Sequence, residues 1–218
     1  MQRYLEKATS FFEIPVDLRS RALVLIAALL LVTVFFLPLW NMQIYTKQFP
    51  DGLAVHIYAD KLEGGVAEGR DDLLEINALN YYVGMEPLEE GNFVEFKWMP
   101  FVLGAVIVLA LRVIVLGKMS KLIDLFVFYG YFGIFSLWSF YSRLYDYGHH
   151  LNPSAQIIIP PFTPPMFGRT TIANFDLAGA PAIGSYIMIV VPVVLLTAIL
   201  MSRLAWRREH MPSRDFMT

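Results

Sequence analysis

Residues 22–40 read ALVLIAALLLVTVFFLPLW, and this run of 19 residues without a charge decides the class of the protein. At about 1.5 Å per residue, a helix over this run would measure about 28 Å, close to the roughly 30 Å hydrocarbon core of a bilayer. A signal peptide has a shorter apolar region of about 7–15 residues that ends at a small-residue cleavage site. This run ends at Leu37-Pro38-Leu39-Trp40 instead. It therefore predicts a retained membrane anchor.

Three further apolar blocks follow the first one. The second is broken only by Arg112, the third is uncharged after Asp124, and the fourth has no charge at all. We therefore expect a membrane all-α fold with four transmembrane helices and a small α+β periplasmic module built from two outer loops. The expected segments are a cytoplasmic amphipathic segment over 1–21, spans over 22–42, 98–117, 122–142 and 177–202, a periplasmic loop module over 43–97, a cytoplasmic turn over 118–121, a proline-rich periplasmic loop over 143–176, and a cytoplasmic tail over 203–218.

Basic residues predict the orientation of these spans. They cluster in three flanks, which hold Arg3, Lys7, Arg19 and Arg21; Lys118 and Lys121; and Arg203, Arg207, Arg208 and Arg214. The segment 43–97 has four basic residues against eleven acidic ones. Because basic flanks stay in the cytoplasm, we expect a multi-pass protein with both termini cytoplasmic and with two loops on the periplasmic or extracellular face.

The composition excludes several function classes. With no cysteine in 218 residues, the chain has no disulfide, thiolate nucleophile or Cys-ligated metal site. A net charge of −2 gives no sign of nucleic-acid binding. None of the four histidines lies inside an apolar block, so buried haem is not expected. The G-x-S-x-G, H-E-x-x-H and phosphate-loop motifs are missing, and we expect no enzymatic activity.

The outer segments carry local structural signals. Residues 53–58 alternate apolar and polar side chains, which predicts a strand. Asp71 and Asp72 precede an apolar helical pattern that stops before Gly84. Acidic residues favour the start of a helix and glycine favours the position just after its end, so this pattern predicts a helix between them. Residues 157–159, three isoleucines in the proline-rich loop, predict a short strand. The segment 43–97 has too little apolar surface to fold alone, and the segment 143–176 is too rich in proline to form a sheet by itself, so we expect the two to pack together.

Copper is the metal that suits the outer segments. His56, Met85, His149, His150 and Met166 supply imidazole and thioether ligands. Their spacing fits no helix-based site, and adjacent histidines in an extended chain point opposite ways, so at most one of His149 and His150 joins a single site. The alternative is that these side chains only make hydrogen bonds and packing contacts in the loops.

Two sets of motifs resemble a known family. They are QFPDGL over 48–53 with INALNYYVGM over 76–85, and YDYGH over 145–149 with LNP over 151–153, Pro164-Pro165, Gly168 and Asn174-Phe175. These resemble an uncharacterised multi-pass bacterial membrane protein family found with genes for NosL-type copper chaperones and nitrous-oxide reductase. Members of that family often carry a histidine where this chain has Tyr81.

The resemblance and the ligand chemistry together indicate Met85 and His149 as Cu(I) ligands, with His56 as the third. The resemblance implies a multi-pass protein of the bacterial inner membrane. We expect a non-catalytic accessory protein whose periplasmic loops dock other membrane or periplasmic proteins, with a copper chaperone as one candidate partner and membrane lipids around the helices. The alternative is a structural subunit of a large respiratory or photosynthetic complex. In that case the aromatic third block would border lipid, pigment or quinone.

Overall fold

The computed structural model describes residues 11–67, 69–172 and 175–210. Residues 1–10 of the predicted amphipathic segment and residues 211–218 of the predicted tail therefore lie outside the described residues. The elements in chain order are α1 (Leu18–Val34), β1 (Trp40–Tyr45), β2 (Leu53–Ile57), β3 (Leu62–Gly64), β4 (Val66–Ala67), β5 (Arg70–Asp71), α2 (Asp72–Val83), a short 3-10 turn (Glu90–Asn92), α3 (Glu95–Leu116), α4 (Met119–His149), β6 (Gly168–Ile172), β7 (Phe175–Pro181) and α5 (Ile183–His210).

The predicted all-α membrane fold with four spans is wrong, because the chain has an α+β fold with a five-stranded antiparallel sheet. Apolar runs do not distinguish a helix from a buried strand. The first block is divided between α1, which ends at Val34, and β1, which begins at Trp40. The start of the fourth block, 177–181, belongs to β7 rather than to a helix.

Within the described residues, three helices are long and apolar enough to cross a membrane, namely α3, α4 and the part of α5 up to Glu209. Helix α1 has 17 residues, which is shorter than the roughly 18 apolar residues that mark a span. Helix α4 has 31 residues and extends seven residues past the predicted end of its block at Ser142, because Arg143–His149 continue the helix instead of starting a loop.

The chain divides into two compact units. The helical unit contains the described residues of Met1–Val32, Val102–Gly133 and Met188–Thr218. In this unit Val16 N–H donates to the Gly117 carbonyl at 2.8 Å and Met119 N–H donates to the Ile14 carbonyl at 3.0 Å. Arg21 donates to the carbonyls of Val16 and Ile114, at 3.0 and 3.2 Å. A basic side chain thereby satisfies a carbonyl at the C-terminal end of α3.

The mixed unit comprises Thr33–Phe101 and Ile134–Ile187 and contains the sheet. Its strand order is β3-β2-β1-β7-β6, so strands from both outer segments share one sheet. Register pairs include Met42 with Val55 and Gly179. The core on one sheet face consists of buried Leu53, Val55, Leu62 and Ile76, where Ile76 comes from α2.

Helix α2 confirms the local signals read from the sequence. The Asp71 carboxylate accepts the Leu73 N–H at 3.0 Å at the helix start. Gly84 ends the helix in the left-handed conformation, with φ of 76°. The predicted strand over 53–58 is also confirmed as β2. The predicted strand over 157–159 is wrong, since these residues form no strand and Ile157 instead donates its N–H to the Tyr82 carbonyl at 3.0 Å.

Candidate functional site

The two faces of the sheet differ in chemistry. Side chains alternate between faces along a strand. Met42, Ile44, Val55, Ile57 and Leu177 point to one face and line an apolar cavity. The positions between them, which carry Asn41, Gln43, Ala54, His56 and Ala178, point to the other face. One face is therefore polar and the other surrounds the cavity.

His56 belongs to the polar face. Its Nδ1 lies 2.8 Å from Oδ1 of Asn41, its cross-strand neighbour. Met85, by contrast, follows Gly84 at the end of α2 and lines the cavity. His56 and Met85 therefore face opposite sides of the sheet.

His149 is the last residue of α4. Its Nδ1 lies 2.9 Å from the Tyr145 carbonyl oxygen, and its ring stacks on the Tyr145 ring with 3.8 Å between centroids. His150 lies outside the helix, with Nδ1 at 3.1 Å from the Asp146 carbonyl oxygen. Among the described residues no three His, Asp or Glu side chains form a group that could hold a metal ion. The copper ligand set of Met85, His149 and His56 stays a prediction.

The two outer segments do meet where α2 ends. The Asn152 N–H donates to the Gly84 carbonyl at 2.8 Å, and the Tyr147 hydroxyl donates to the Glu86 carbonyl. A Cβ added at Gly84 would lie 2.8 Å from the Asn152 carbonyl oxygen. A Cβ added at Gly148 would overlap the Phe162 carbonyl oxygen, so both glycines allow close backbone approach. The segments around Gly84 and Gly148 that carry the family resemblance thus lie against each other.

The cavity in the mixed unit has a volume of about 140 Å³. Sheet residues form one wall, and side chains of α2, the start of α3 and the end of α4 form others. The lining includes six rings, from Phe93, Phe96, Phe140, Tyr147, Phe162 and Phe175. Such a predominantly apolar concave surface with a few polar side chains is typical of small-molecule sites.

An ion pair forms the polar part of the cavity wall. Glu95, the first residue of α3, accepts hydrogen bonds from Ser139 Oγ at 2.9 Å and from Arg143 Nη2 at 3.2 Å. The two charged side chains are 17% and 28% exposed, so each loses much of its contact with water. The Arg143 guanidinium also lies 5.6 Å from the centre of the Phe93 ring.

The cavity wall continues into a polar cleft. Arg143 and Tyr147 line both spaces, and Glu86, Asp146 and His150 complete the lining of the cleft. The buried Nε of Arg143 has no hydrogen-bond acceptor in the described part of the chain. The apolar cavity and the polar cleft therefore share the side chain of Arg143.

Sequence reasoning missed Glu95, Ser139, Arg143 and Tyr147. The second apolar block begins at Trp98 and the third ends at Ser142. Glu95 and Arg143 lie just outside these blocks and were therefore assigned to loops. A usable signal was present, since Ser139, Arg143 and Tyr147 follow one another at intervals of four and share one face of a continued helix.

Comparison with known proteins finds no matching family model, no matching curated protein and no matching solved structure. The resemblance of the outer segments to the copper-associated membrane family remains a prediction.

Proposed function

We propose that the chain is a non-catalytic accessory protein of the bacterial inner membrane whose mixed unit docks a partner protein in the periplasm. The observation that carries the proposal is the edge of the sheet at β6. Among the strands that the structure describes, β6 pairs with β7 alone, and its residues Gly168–Thr171 are exposed. An exposed strand presents unpaired backbone N–H and C=O groups that an extended segment of another protein can pair with.

The opposite edge of the sheet offers no equivalent surface. Strand β3 has only three residues, and α2 packs against it. The chain then turns back, since Gly65 donates its N–H to the Ala54 carbonyl at 2.8 Å and accepts from the Asp72 N–H at 3.0 Å. Docking by strand addition is therefore assigned to β6.

The residues around β6 indicate the chemistry of its partner. Phe167 directly precedes the strand and is 64% exposed, so it offers an apolar anchor. Arg169 is exposed, with its guanidinium 5.2 Å from the centre of the Tyr45 ring. We expect the partner to supply an extended segment with an acidic side chain opposite Arg169 and an apolar side chain against Phe167.

Photo-crosslinking in native membranes tests this docking site. A photoreactive residue at Thr170 should give an adduct with an extended, acid-containing segment of one partner, and Arg169→Glu should abolish that adduct. The same residue placed at Gln43, which is exposed in the middle of the sheet, is the matched control. No adduct from Thr170, or the same adduct from Gln43, would contradict strand addition.

The orientation in the membrane is part of the proposal. The backbone bridge between Pro15 and Lys118 supports placing the chain before α1 at the same end as the turn between α3 and α4. Because Lys118 and Lys121 flank that turn, we assign this end and the C-terminal end of α5 to the cytoplasm. In intact spheroplasts, Ser154→Cys should react with a membrane-impermeant thiol reagent and Ser213→Cys should not. The reverse labelling would overturn the assignment.

A narrower form of the proposal concerns copper. It rests on the resemblance and on ligand chemistry, and it makes a copper chaperone the partner and Met85 and His149 the Cu(I) ligands. His56, the third ligand expected from the sequence, lies on the other face of the sheet from Met85 and is left out. Competition of the purified protein against a chromophoric Cu(I) chelator tests it. Met85→Ala and His149→Ala should each weaken binding strongly, and His56→Ala and His150→Ala should have less effect. If the unmodified protein takes no copper, the metal role is wrong.

The rival function is that of a structural subunit in a large respiratory or photosynthetic complex. A Cβ added at Gly130 or Gly133 of α4 would meet nothing within 4 Å among the described residues, so this helix face is open to lipid or to another subunit. Gentle purification of the native protein followed by mass spectrometry separates the two functions. Co-purifying oxidase or photosystem subunits would favour the rival, and a copper chaperone would favour the accessory role.

A further inference from the structure

The outer edge of β6 has the features of a strand that can pair with another copy of itself. Natural edge strands avoid such pairing through proline, lysine, bulges or very short length. Strand β6 has five residues, Gly168–Ile172, without proline or lysine, and its pairing with β7 is regular along the whole strand. Its one charged residue is Arg169. The position of this charge in the paired strands therefore decides whether two copies repel or attract each other.

The charges beside this edge are arranged so that a second copy complements them. Thr171 is paired with Asp176 and projects with it to the polar face of the sheet, and Arg169, two residues earlier, projects to the same face. Asp176 is exposed, and its Oδ1 accepts the Thr171 hydroxyl at 2.6 Å. Within the described residues, neither Arg169 nor Asp176 belongs to an ion pair. The edge thus presents a cation on β6 and an anion one strand further in.

The residue on a two-fold axis sets the register of two antiparallel β6 strands. With Thr170 on the axis, all five residues of each strand are paired and Arg169 stands opposite Thr171 of the second copy. Asp176 of that copy is next in the same row, two strand spacings or about 10 Å away between Cα atoms, which a long arginine side chain can approach. With Arg169 on the axis, two arginines would stand directly opposite, which is destabilising. With Thr171 on the axis, only residues 170–172 of the strand would pair.

The direction of the helices permits this pairing within one membrane. The start of α3 and the end of α4 line the apolar cavity, so they lie on the cavity face of the sheet. A two-fold axis that joins two antiparallel edge strands into one sheet runs perpendicular to that sheet, and rotation about it keeps each face on its own side. Both copies therefore hold the ends of α3 and α4, which are candidate membrane spans, on the same side of the shared sheet.

We propose that the β6 edge pairs with the β6 edge of a second copy of this chain, with Thr170 on the two-fold axis and two symmetric contacts between Arg169 of one copy and Asp176 of the other. The two five-stranded sheets then form one continuous sheet. A partner segment needs the same edge, so the dimer covers the docking site until a partner displaces one copy. This regulatory consequence rests on the function proposed above, whereas the pairing itself does not.

Disulfide cross-linking of the purified full chain in phosphatidylcholine vesicles, with no other protein present, tests the register. Because the chain has no cysteine, Thr170→Cys supplies one thiol per copy. Residues that face each other in an antiparallel pair have Cα atoms about 4.5–5.5 Å apart, within the span of a disulfide. Oxidation by diamide should therefore give a disulfide-linked dimer. Thr171→Cys is the matched control, since its two copies would lie about 7–8 Å apart on the diagonal, beyond that span. No dimer from Thr170→Cys, or an equal yield from both variants, overturns the proposal.

Charge reversal in the Thr170→Cys protein tests the two contacts. Arg169→Asp places acid against acid across the axis, and Asp176→Arg places base against base, so each variant alone should give about tenfold less linked dimer. When the two variants are reconstituted together, unlike charges face each other again in the mixed dimer, and the yield should return to that of the unreversed protein. Mixing cannot repair a change inside one chain, so a mixture that stays at the low yield overturns the proposal. Circular dichroism checks that each variant is folded.

The outcome is separable from that of the docking experiment. Absence of a dimer in the vesicles would remove the pairing and leave a photo-adduct of Thr170 with a different protein in native membranes unexplained by it but intact. A linked dimer in the vesicles, without any photo-adduct to another protein, would support the pairing and remove the docking function.

Discussion

Arginine has different roles in the two units of the chain. In the helical unit, Arg21 donates from Nε and Nη1 to carbonyl oxygens of Val16 and Ile114, so its hydrogen bonds serve the backbone. In the mixed unit, Arg143 pairs with Glu95 through Nη2, and both residues line the apolar cavity. The first arrangement satisfies helix ends, as a structural contact does. The second places a largely buried ion pair in the wall of an apolar cavity.

Glycine gives the largest expected difference between the two units. Gly148, in the mixed unit, lies against the Phe162 carbonyl, whereas a Cβ at Gly104, in the helical unit, would meet no atom within 4 Å. We expect Gly148→Ala to destabilise the protein by about 3 kcal/mol, because backbone must move to make room. Gly104→Ala, the matched helical control, should be neutral or stabilising by up to about 1 kcal/mol.

Thermal unfolding in detergent, followed by circular dichroism, measures both changes. A loss of about 3 kcal/mol corresponds to a lower melting temperature by roughly 6–12 °C for a chain of this size. Equal melting temperatures for the Gly148→Ala and Gly104→Ala proteins would mean that the contact of Gly148 with the loop at Phe162 is not a feature of the folded protein.

The next largest effect is expected at the ion pair of the cavity wall. Glu95→Gln leaves the Arg143 charge with little water around it and without its counter-ion. Breaking a fully buried pair costs roughly 3–5 kcal/mol. Because the two side chains keep 17% and 28% of their exposure, we expect a smaller loss of about 2 kcal/mol.

A matched pair in the helical unit sharpens this comparison. Lys121 and Asp124 lie 2.9 Å apart, but their side chains are 34% and 64% exposed. Asp124→Asn should therefore change the free energy of unfolding by less than about 0.5 kcal/mol. Chemical denaturation of both variants in the same detergent measures the difference. An equal loss of stability in the two would show that the ion pair of Glu95 contributes no more than an exposed one.

The sequence was most informative where one short segment determines its own structure. Asp71 and Gly84 delimit α2 because a carboxylate at the helix start and a glycine after its end act locally. The strand at 53–57 was recognisable from its alternation for the same reason. The division of the first apolar block was not predictable this way. Trp40 joins a strand because β2 and β7 flank it, and these neighbours are 12 or more residues away in the chain.

The candidate site was hidden by the same non-local effect. Glu95 and Arg143 are 48 residues apart in sequence and meet only because α3 begins and α4 ends in the mixed unit. The charged residues themselves had suggested loops, because charge ends an apolar block in a membrane protein. The search of the sequence for histidine and methionine ligands predicted a metal site that includes His56 and Met85. In the structure these two side chains lie on opposite sides of the sheet.

The smallest expected effect concerns Asp17 in the helical unit, where a polar contact serves structure alone. Burial by itself would raise the pKa of the Asp17 carboxyl, but hydrogen bonds from Ser20 and Ser202 outweigh it and lower the pKa below its usual value of 3.8. Because the folded-state pKa is the lower one, the charge stabilises the fold above pH 3.8, and this stabilisation is lost as the pH falls through the folded-state pKa.

Asp17→Asn removes the charge and keeps a side-chain oxygen that can accept hydrogen bonds. The unmodified protein should therefore melt higher than Asp17→Asn at pH 6, by the equivalent of about 1 kcal/mol, and the difference should shrink as the pH falls below 3.8. Ser202→Ala, which removes a donor at 3.0 Å from the carboxylate, should reduce the difference seen at pH 6. A difference that stays constant from pH 6 to pH 3 would show that the carboxylate charge does not contribute, and Asp17 would then act only as a neutral hydrogen-bond acceptor at the start of α1.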